Sequence, residues 1–158
     1  MTQPEILIVG AGGMGALFGS ILHENGLKVV LYDTNTEHIR AIQQAGLKIE
    51  GYGGDRTIPI AATSNLSELE SAEIIIFQCK SHGTRQASKA VKPLITQESV
   101  CISFQNGLGN EEVMAEELGE DSVMGGLTAM AGVLLEPGKI RDFSRVPSHI
   151  GEMRGGIS

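Results

Sequence analysis

The run Glu5-Ile-Leu-Ile-Val-Gly-Ala-Gly-Gly-Met-Gly-Ala-Leu-Phe-Gly19 carries an apolar strand straight into a glycine-rich turn and then into a helix. Residues 6–9 form the short, continuous apolar segment that a parallel strand buried on both faces shows. Gly10 permits a tight turn, Gly12 lets the backbone come close to a pyrophosphate, and Gly15 lets the following helix pack closely on the strand. Helix N–H groups and the helix dipole then meet the anion, so such a loop recognises phosphate without a basic side chain. With 21 glycines in 158 residues the spacing alone also arises by chance. The motif gains its meaning from its surroundings.

After the loop, Met14, Phe18, Ile21 and Leu22 predict one apolar helix stripe, and Asn25-Gly26 supplies its stop. A second strand comes next, over residues 28–32, and ends in Asp33. That acid lies 18 positions after Gly15, close to the offset of about 20 expected of a carboxylate that binds the adenosine ribose hydroxyls. A glycine-rich turn without a ligand would leave both the spacing and Asp33 unexplained. The fold expected is α/β, a Rossmann-type, doubly wound, mostly parallel sheet.

Farther along, residues 36–45 read as a helix ended by Gly46. Residues 47–50 and 57–60 flank Gly51-Tyr-Gly-Gly-Asp55 and predict a small hairpin insertion. No helix comes after that tip, so it reads as a turn rather than a second phosphate loop. Residues 73–78, 99–104 and 122–124 read as strands, and residues 84–91 as a helix stopped by Pro93. Residues 110–118 read as an acidic helix capped by Asn110 and stopped by Gly119; Glu111, Glu112, Glu116 and Glu117 predict a solvated face, not metal ligands. Near the C-terminus, residues 133–135 and 140–143 flank a type II turn at Pro137-Gly138, and residues 147–151 read as a last strand. These are the antiparallel additions to a sheet whose strands otherwise alternate with helices.

A chain of 158 residues suffices for one domain with a proper core, and is too short for such a domain plus a full substrate domain. Twelve Lys and Arg against 19 Asp and Glu give a net charge of −7. No basic patch forms, which argues against nucleic acid or an acidic membrane surface as partner. No apolar run reaches bilayer length and no secretory leader opens the chain, so a cytoplasmic protein is expected. Cys79 and Cys101 lack any CxxC or metal-ligand spacing and read as reduced thiols. Cys79, next to Lys80 at a strand end, is placed to line the ligand cleft.

Several segments occur together in order: Gly10-Ala-Gly-Gly-Met-Gly-Ala-Leu-Phe-Gly19, Cys79-Lys80-Ser81 with Thr84, Ser103-Phe-Gln-Asn-Gly-Leu-Gly-Asn110-Glu-Glu112, Gly126-Leu-Thr128 and Glu136-Pro-Gly138. This pattern resembles the N-terminal domain of the ketopantoate reductases (2-dehydropantoate 2-reductases) over nearly the whole chain. Residues 105–110 are its specific part, since many dehydrogenases share the phosphate loop. The resemblance implies reduction of a 2-keto acid, 2-dehydropantoate to pantoate on the route to pantothenate and coenzyme A, by a hydride from NAD(P)H. It implies cofactor contacts at Gly10, Ala11, Gly12, Gly13, Met14, Gly15 and Asp33, and at Gly132 after the Gly-x-Thr segment. Lys80 and Asn106 are implied to reach the nicotinamide ribose and the substrate pocket in supporting catalytic roles. Those residue types suit the task, an ammonium donor and an oriented amide at the carboxyl ends of strands. The plainer readings are a solvated Lys80 and a turn-forming Asn106 before Gly107.

Two departures from the family pattern stand out. The family's proton-donating lysine, most substrate contacts and the surface for a possible homodimer belong to a second, helical domain, which is expected to begin about where Gly155-Gly-Ile-Ser158 ends this chain. NADP-preferring members usually carry a basic residue just after the second strand, where this chain reads Asp33-Thr34-Asn35. A carboxylate there would repel a 2′-phosphate by about 1–4 kcal/mol, which favours NAD tenfold or more. The alternatives are a neighbouring 3-hydroxyacid, 3-hydroxyacyl-CoA or glycerol-3-phosphate dehydrogenase, or a nucleotide-binding module without catalysis.

Overall fold

The computed structural model describes residues 3–153; the Gly155 to Ser158 tail lies outside them. In chain order the first elements are β1 (Ile6–Val9), α1 (Gly13–Glu24), β2 (Val29–Tyr32), α2 (Thr36–Ala45), β3 (Leu47–Gly51), β4 (Arg56–Ile58) and β5 (Ala61–Thr63). After them come β6 (Ile74–Phe77), α3 (Thr84–Val91), β7 (Val100–Ser103), α4 (Asn110–Leu118), β8 (Val123–Leu127), β9 (Ala131–Glu136), β10 (Lys139–Ser144) and β11 (His149–Glu152).

The main sheet runs β5-β2-β1-β6-β7-β8-β11. Strands β5 to β8 in that order are all parallel, and β11 joins β8 antiparallel. The chain leaves β1 toward β2 and β5, then crosses back over β1 to β6 and continues outward to β7 and β8. That is the doubly wound, Rossmann-like order, with its switch point between β1 and β6.

Alternation along each strand divides the apolar residues between two faces. Ile6, Ile8, Val29, Leu31 and Ile76 pack with Leu17 and Phe18 of α1 and with Ile39 and Ile42 of α2. Leu7, Val9, Val30, Ile75 and Phe77 pack on the other face with Val91 of α3 and Met114 of α4. Burial on both faces is why these strands read as unbroken apolar runs. Among the described residues no helix is long and apolar enough to cross a membrane.

Helix α1 turns a different side inward than its apolar stripe predicts. Its buried residues are Gly15, Ala16, Leu17, Phe18, Gly19 and Ser20, whereas Met14, Ile21 and Leu22 are only half-buried. The glycines decide this, because they let the helix axis approach the sheet. A Cβ at Gly15 would stand 1.8 Å from the Gly10 carbonyl oxygen, and one at Gly19 would stand 2.4 Å from Leu31 Cδ2.

The predicted hairpin insertion and the C-terminal hairpin form one structure. β3 and β4 pair antiparallel, as do β9 and β10, and β10 lies parallel to β3 in a second sheet of order β4-β3-β10-β9. Glu50 of β3 fastens this union by accepting hydrogen bonds from Lys139, at 2.7 Å, and from Arg141. Those bonds, Lys139's first, hold the Glu50 carboxyl below its ordinary range and the Lys139 amine above. The short edge strand β5 has no counterpart in the sequence reading, since three residues carry too little periodicity. β8 extends beyond the predicted Met124 to Leu127, where it pairs antiparallel with β11; Gly126 also lets the Phe104 ring come close, since a Cβ there would lie 2.5 Å from Phe104 Cε1.

Helix α4 departs from the predicted acidic, Asn-capped helix in two ways. Asn110 is its first residue rather than its cap, and its side chain turns back into the preceding loop. Glu116 and Glu117 are not simply solvated, since both bind Arg85 of α3.

Candidate functional site

The carboxyl ends of β2, β1, β6 and β7 lie side by side, so Asp33, Gly10, Lys80 and Asn106 succeed one another along a single edge of the sheet. Open α/β sheets bind ligands at this edge, beside the switch point.

The glycine loop is held tightly everywhere but at one residue. Gly10 has φ +99°, and a Cβ there would stand 2.5 Å from the Cys79 amide nitrogen. Its own N–H donates to the Tyr32 carbonyl at 2.9 Å. Gly13 abuts β9, where a Cβ would lie 2.4 Å from Val133 Cα. At Gly12, by contrast, a Cβ would meet nothing within 4 Å. The first turn of α1 has no side-chain cap and no acidic residue, so its unpaired N–H groups and positive dipole end face this open space. Such an arrangement can accept an anion that approaches the Gly12 backbone.

Asp33 sits half-buried at the end of β2. Its Oδ1 accepts the Asn35 N–H at 2.9 Å, which fixes the carboxylate beside the loop. The Tyr32 hydroxyl is pushed up by burial and by the Asp33 charge.

Lys80 and Asn106 are both exposed, on neighbouring loops that a polar network fastens together. Buried Gln105 donates through Nε2 to the Cys79 carbonyl and to Thr84 Oγ1, each at 2.8 Å. Thr84 Oγ1 in turn donates to Asn110 Oδ1 at 3.1 Å. Asn110 Nδ2 donates to the Asn106 and Gly107 carbonyls at 3.3 and 3.4 Å, and Ser81 Oγ donates to the Asn106 carbonyl at 3.2 Å. The backbone of Asn106 is thereby anchored while its amide side chain makes no hydrogen bond among the described residues. Gly107, at φ +100°, makes the turn that releases the chain. Cys79 is half-buried beside this network, and burial pushes its thiol up; Cys101, fully buried in β7, is pushed up to about 12. Neither is poised as a thiolate.

Gly132 lies on β9 against the first turn of α1, where a Cβ would stand 2.9 Å from Leu17 Cδ2 and 3.0 Å from the Gly13 oxygen. Its N–H points at Met14 Sδ, 3.1 Å away. Thus Gly13, Met14 and Gly132 serve the contact between the loop and the second sheet, while Gly10, Ala11, Gly12 and Gly15 build the turn itself.

Sequence reasoning missed the residues that hold these loops. Gln105 and Asn110 stand within the motif that carries the resemblance, yet their inward-facing amides declare themselves only once the two loops are neighbours. Gln78, at the end of β6, has a buried Nε2 without a hydrogen-bond partner among the described residues. His38 of α2 is 1% exposed. Its Nε2 lies 2.8 Å from the Ala11 carbonyl oxygen, and its Nδ1 lies 2.9 Å from the Gly138 amide nitrogen.

The family model of the ketopantoate reductase PanE/ApbA matches residues 6–155. The chain belongs to that family. Among ketopantoate reductases, the 2-dehydropantoate 2-reductase of Pyrococcus abyssi is 35% identical over 137 residues, which are 87% of this chain and 44% of the relative. The crystal structure of 2-dehydropantoate 2-reductase from Geobacter metallireducens superposes with a TM-score of 0.89 at 26% identity, covering 99% of this chain and 51% of that one. A complex of D-mandelate dehydrogenase with NADH superposes with a TM-score of 0.79 at 25% identity, over 92% of this chain and 45% of that chain. The chain spans about half the length of the curated relatives it matches.

Proposed function

We propose that this chain is the NAD(P)H-binding half of a 2-dehydropantoate 2-reductase, with residues 1–158 as its dinucleotide-binding domain. The observation that carries this reading is the contrast within the glycine loop: Gly10 and Gly15 are locked by contacts closer than any Cβ tolerates, while Gly12 opens onto free space at an uncapped helix N-terminus. That pattern fits a pyrophosphate, whose oxygens need close backbone approach and unpaired N–H donors. Family membership and the likeness to an NADH complex support the same ligand.

Bound nicotinamide would supply a hydride to the substrate carbonyl. The chain's own residues would bind and orient. The α1 N-terminus takes the phosphates, and Asp33 accepts hydrogen bonds from the ribose hydroxyls. Lys80 offers ammonium donors at the far side of the switch point, to a ribose hydroxyl or to the oxygen of a 2-keto acid. Asn106, its backbone held by Ser81 and Asn110, presents an amide to the same region. A further helical domain of the full enzyme would bring the proton donor, the remaining substrate contacts and a dimer surface.

Asp33 favours NADH, since its charge would oppose a 2′-phosphate. Calorimetric titration of the 158-residue chain tests the assignment directly. NADH is expected to bind about tenfold or more tightly than NADPH. Binding of neither dinucleotide would overturn the reading.

A further inference from the structure

Resting on the assignment of the glycine loop to a dinucleotide, we propose that His38 is a positioning residue that aims the Gly12 N–H at the cofactor phosphate and ties the loop to the second sheet. The donor and acceptor chemistry of its contacts leaves one protonation pattern. The Gly138 backbone nitrogen can only donate, so His38 Nδ1 must present its lone pair; the Ala11 carbonyl can only accept, so His38 Nε2 must carry the hydrogen. The ring is therefore the neutral Nε2–H tautomer, with both nitrogens satisfied and the whole side chain buried at 1% exposure.

The consequence passes through a single peptide unit. In a trans peptide the C=O of Ala11 and the N–H of Gly12 lie in one plane and point in opposite directions. Drawing the Ala11 oxygen inward onto His38 directs the Gly12 N–H away from the protein interior. No hydrogen bond to that N–H occurs among the described residues, and a Cβ on Gly12 would meet nothing within 4 Å. His38 thus holds a donor open where a phosphate oxygen is to arrive. Pre-orientation matters because the peptides of a glycine-rich loop are otherwise the freest in the chain to rotate, and binding would have to order them.

His38 is itself well seated. Its N–H is capped by Asn35 Oδ1 at 3.1 Å, so the cap of α2 is fixed two residues beyond Asp33. Its other ring nitrogen takes the N–H of Gly138, whose φ of +78° closes the turn between β9 and β10. The same hairpin supports the loop from a second side, through Val133 against Gly13 and through the Gly132 N–H directed at Met14 Sδ. One imidazole therefore joins the ribose-side helix, the phosphate loop and the second sheet.

Two replacements separate the halves of the bridge. His38→Gln places an amide donor near the Nε2 position and preserves the bond to Ala11, whereas His38→Asn places an acceptor near Nδ1 and preserves only the bond to Gly138. NADH affinity and thermal midpoint are measured for the 158-residue chain and both variants. The Asn variant is expected to bind NADH roughly tenfold more weakly, the effect of about one hydrogen bond and an ill-set loop, with the Gln variant restoring affinity to within about threefold. Both variants melt lower, so a merely structural role would weaken binding equally in both. Equal losses, or none in either, overturn the proposal. Should the variants fail to fold, the imidazole ¹⁵N spectrum of the unaltered chain decides: an Nε2–H tautomer supports the proposal and an Nδ1–H tautomer overturns it. Failure of the unaltered chain to bind any dinucleotide would instead overturn the reading of the loop on which this proposal rests.

Discussion

Neighbouring glycines in this chain do opposite work, and substitution can separate them. Gly12 has room for a side chain in the free protein, so Gly12→Val should fold and melt normally while losing a few kcal/mol of NADH affinity, through steric conflict with the pyrophosphate and lost backbone hydrogen bonds. Unchanged affinity by calorimetry would refute the assignment. Gly15→Ala should behave in the opposite sense, because its Cβ would stand 1.8 Å from the Gly10 oxygen, and the chain should lose stability before binding is even asked. Urea denaturation of the two variants shows the contrast. At the adenosine end, Asp33→Arg should reverse the order of NADH and NADPH affinity, since the charge facing the 2′ position changes sign. Equal affinities in the unaltered chain would mean that Asp33 points away from the ribose.

On the level of loops and strands, Gln105 links the loop at the end of β6 to the loop at the end of β7. Gln105→Ala leaves the Cys79 carbonyl without its side-chain donor and removes the bond that Thr84 Oγ1 accepts, though Thr84 keeps its bond to Asn110, and should lower stability by about 1–3 kcal/mol in urea denaturation. The central strands, the helix stops and the type II turn at Pro137-Gly138 were legible from sequence because each rests on a local signal, such as an apolar run or a residue that tolerates positive φ. The second sheet was legible only as two hairpins. Their union depends on β10 lying parallel to β3 across some 90 residues, and the Glu50 pairing with Lys139 and Arg141 leaves no trace in local pattern. The same limit applies within the site. Gly10, Gly12, Gly15 and Asp33 are read from spacing along one βαβ unit, whereas His38, Gln105 and Asn110 act on partners that only folding brings near. The helix stripe of α1 misled because close packing on the sheet uses Gly15 and Gly19, which carry no hydrophobicity to detect.

For the molecule as a whole, the buried sheet makes stability fall at alkaline pH through Cys101. Its thiol is pushed up to about 12 by burial, from an ordinary value of 9.0. Below the ordinary value both folded and unfolded chains keep the proton and nothing changes. Above it the unfolded chain releases a proton that the native state retains, so stability drops as pH rises, by about 1.4 kcal/mol per pH unit, until the native thiol also ionises. Urea denaturation at about pH 8 and about pH 10.5 should show a steeper loss for the unaltered chain than for Cys101→Ala; parallel losses would refute it. Activity belongs to the same scale, because the chain spans about half of its relatives' length. Hydride delivery to a ketone builds negative charge on the carbonyl oxygen, and a positioned proton donor contributes typically 10²–10⁴-fold. Lys80 and Asn106 are both exposed at one edge of an open sheet, so water reaches both side chains. The 158-residue chain is therefore expected to bind NADH yet oxidise it with 2-dehydropantoate at a negligible rate, while a protein extended by a further helical domain turns over. Loss of nicotinamide absorbance is monitored for both. Comparable rates would place the proton donor within this chain, with Lys80 as the residue to test by Lys80→Met, and would refute its assignment as the cofactor half of a larger cleft.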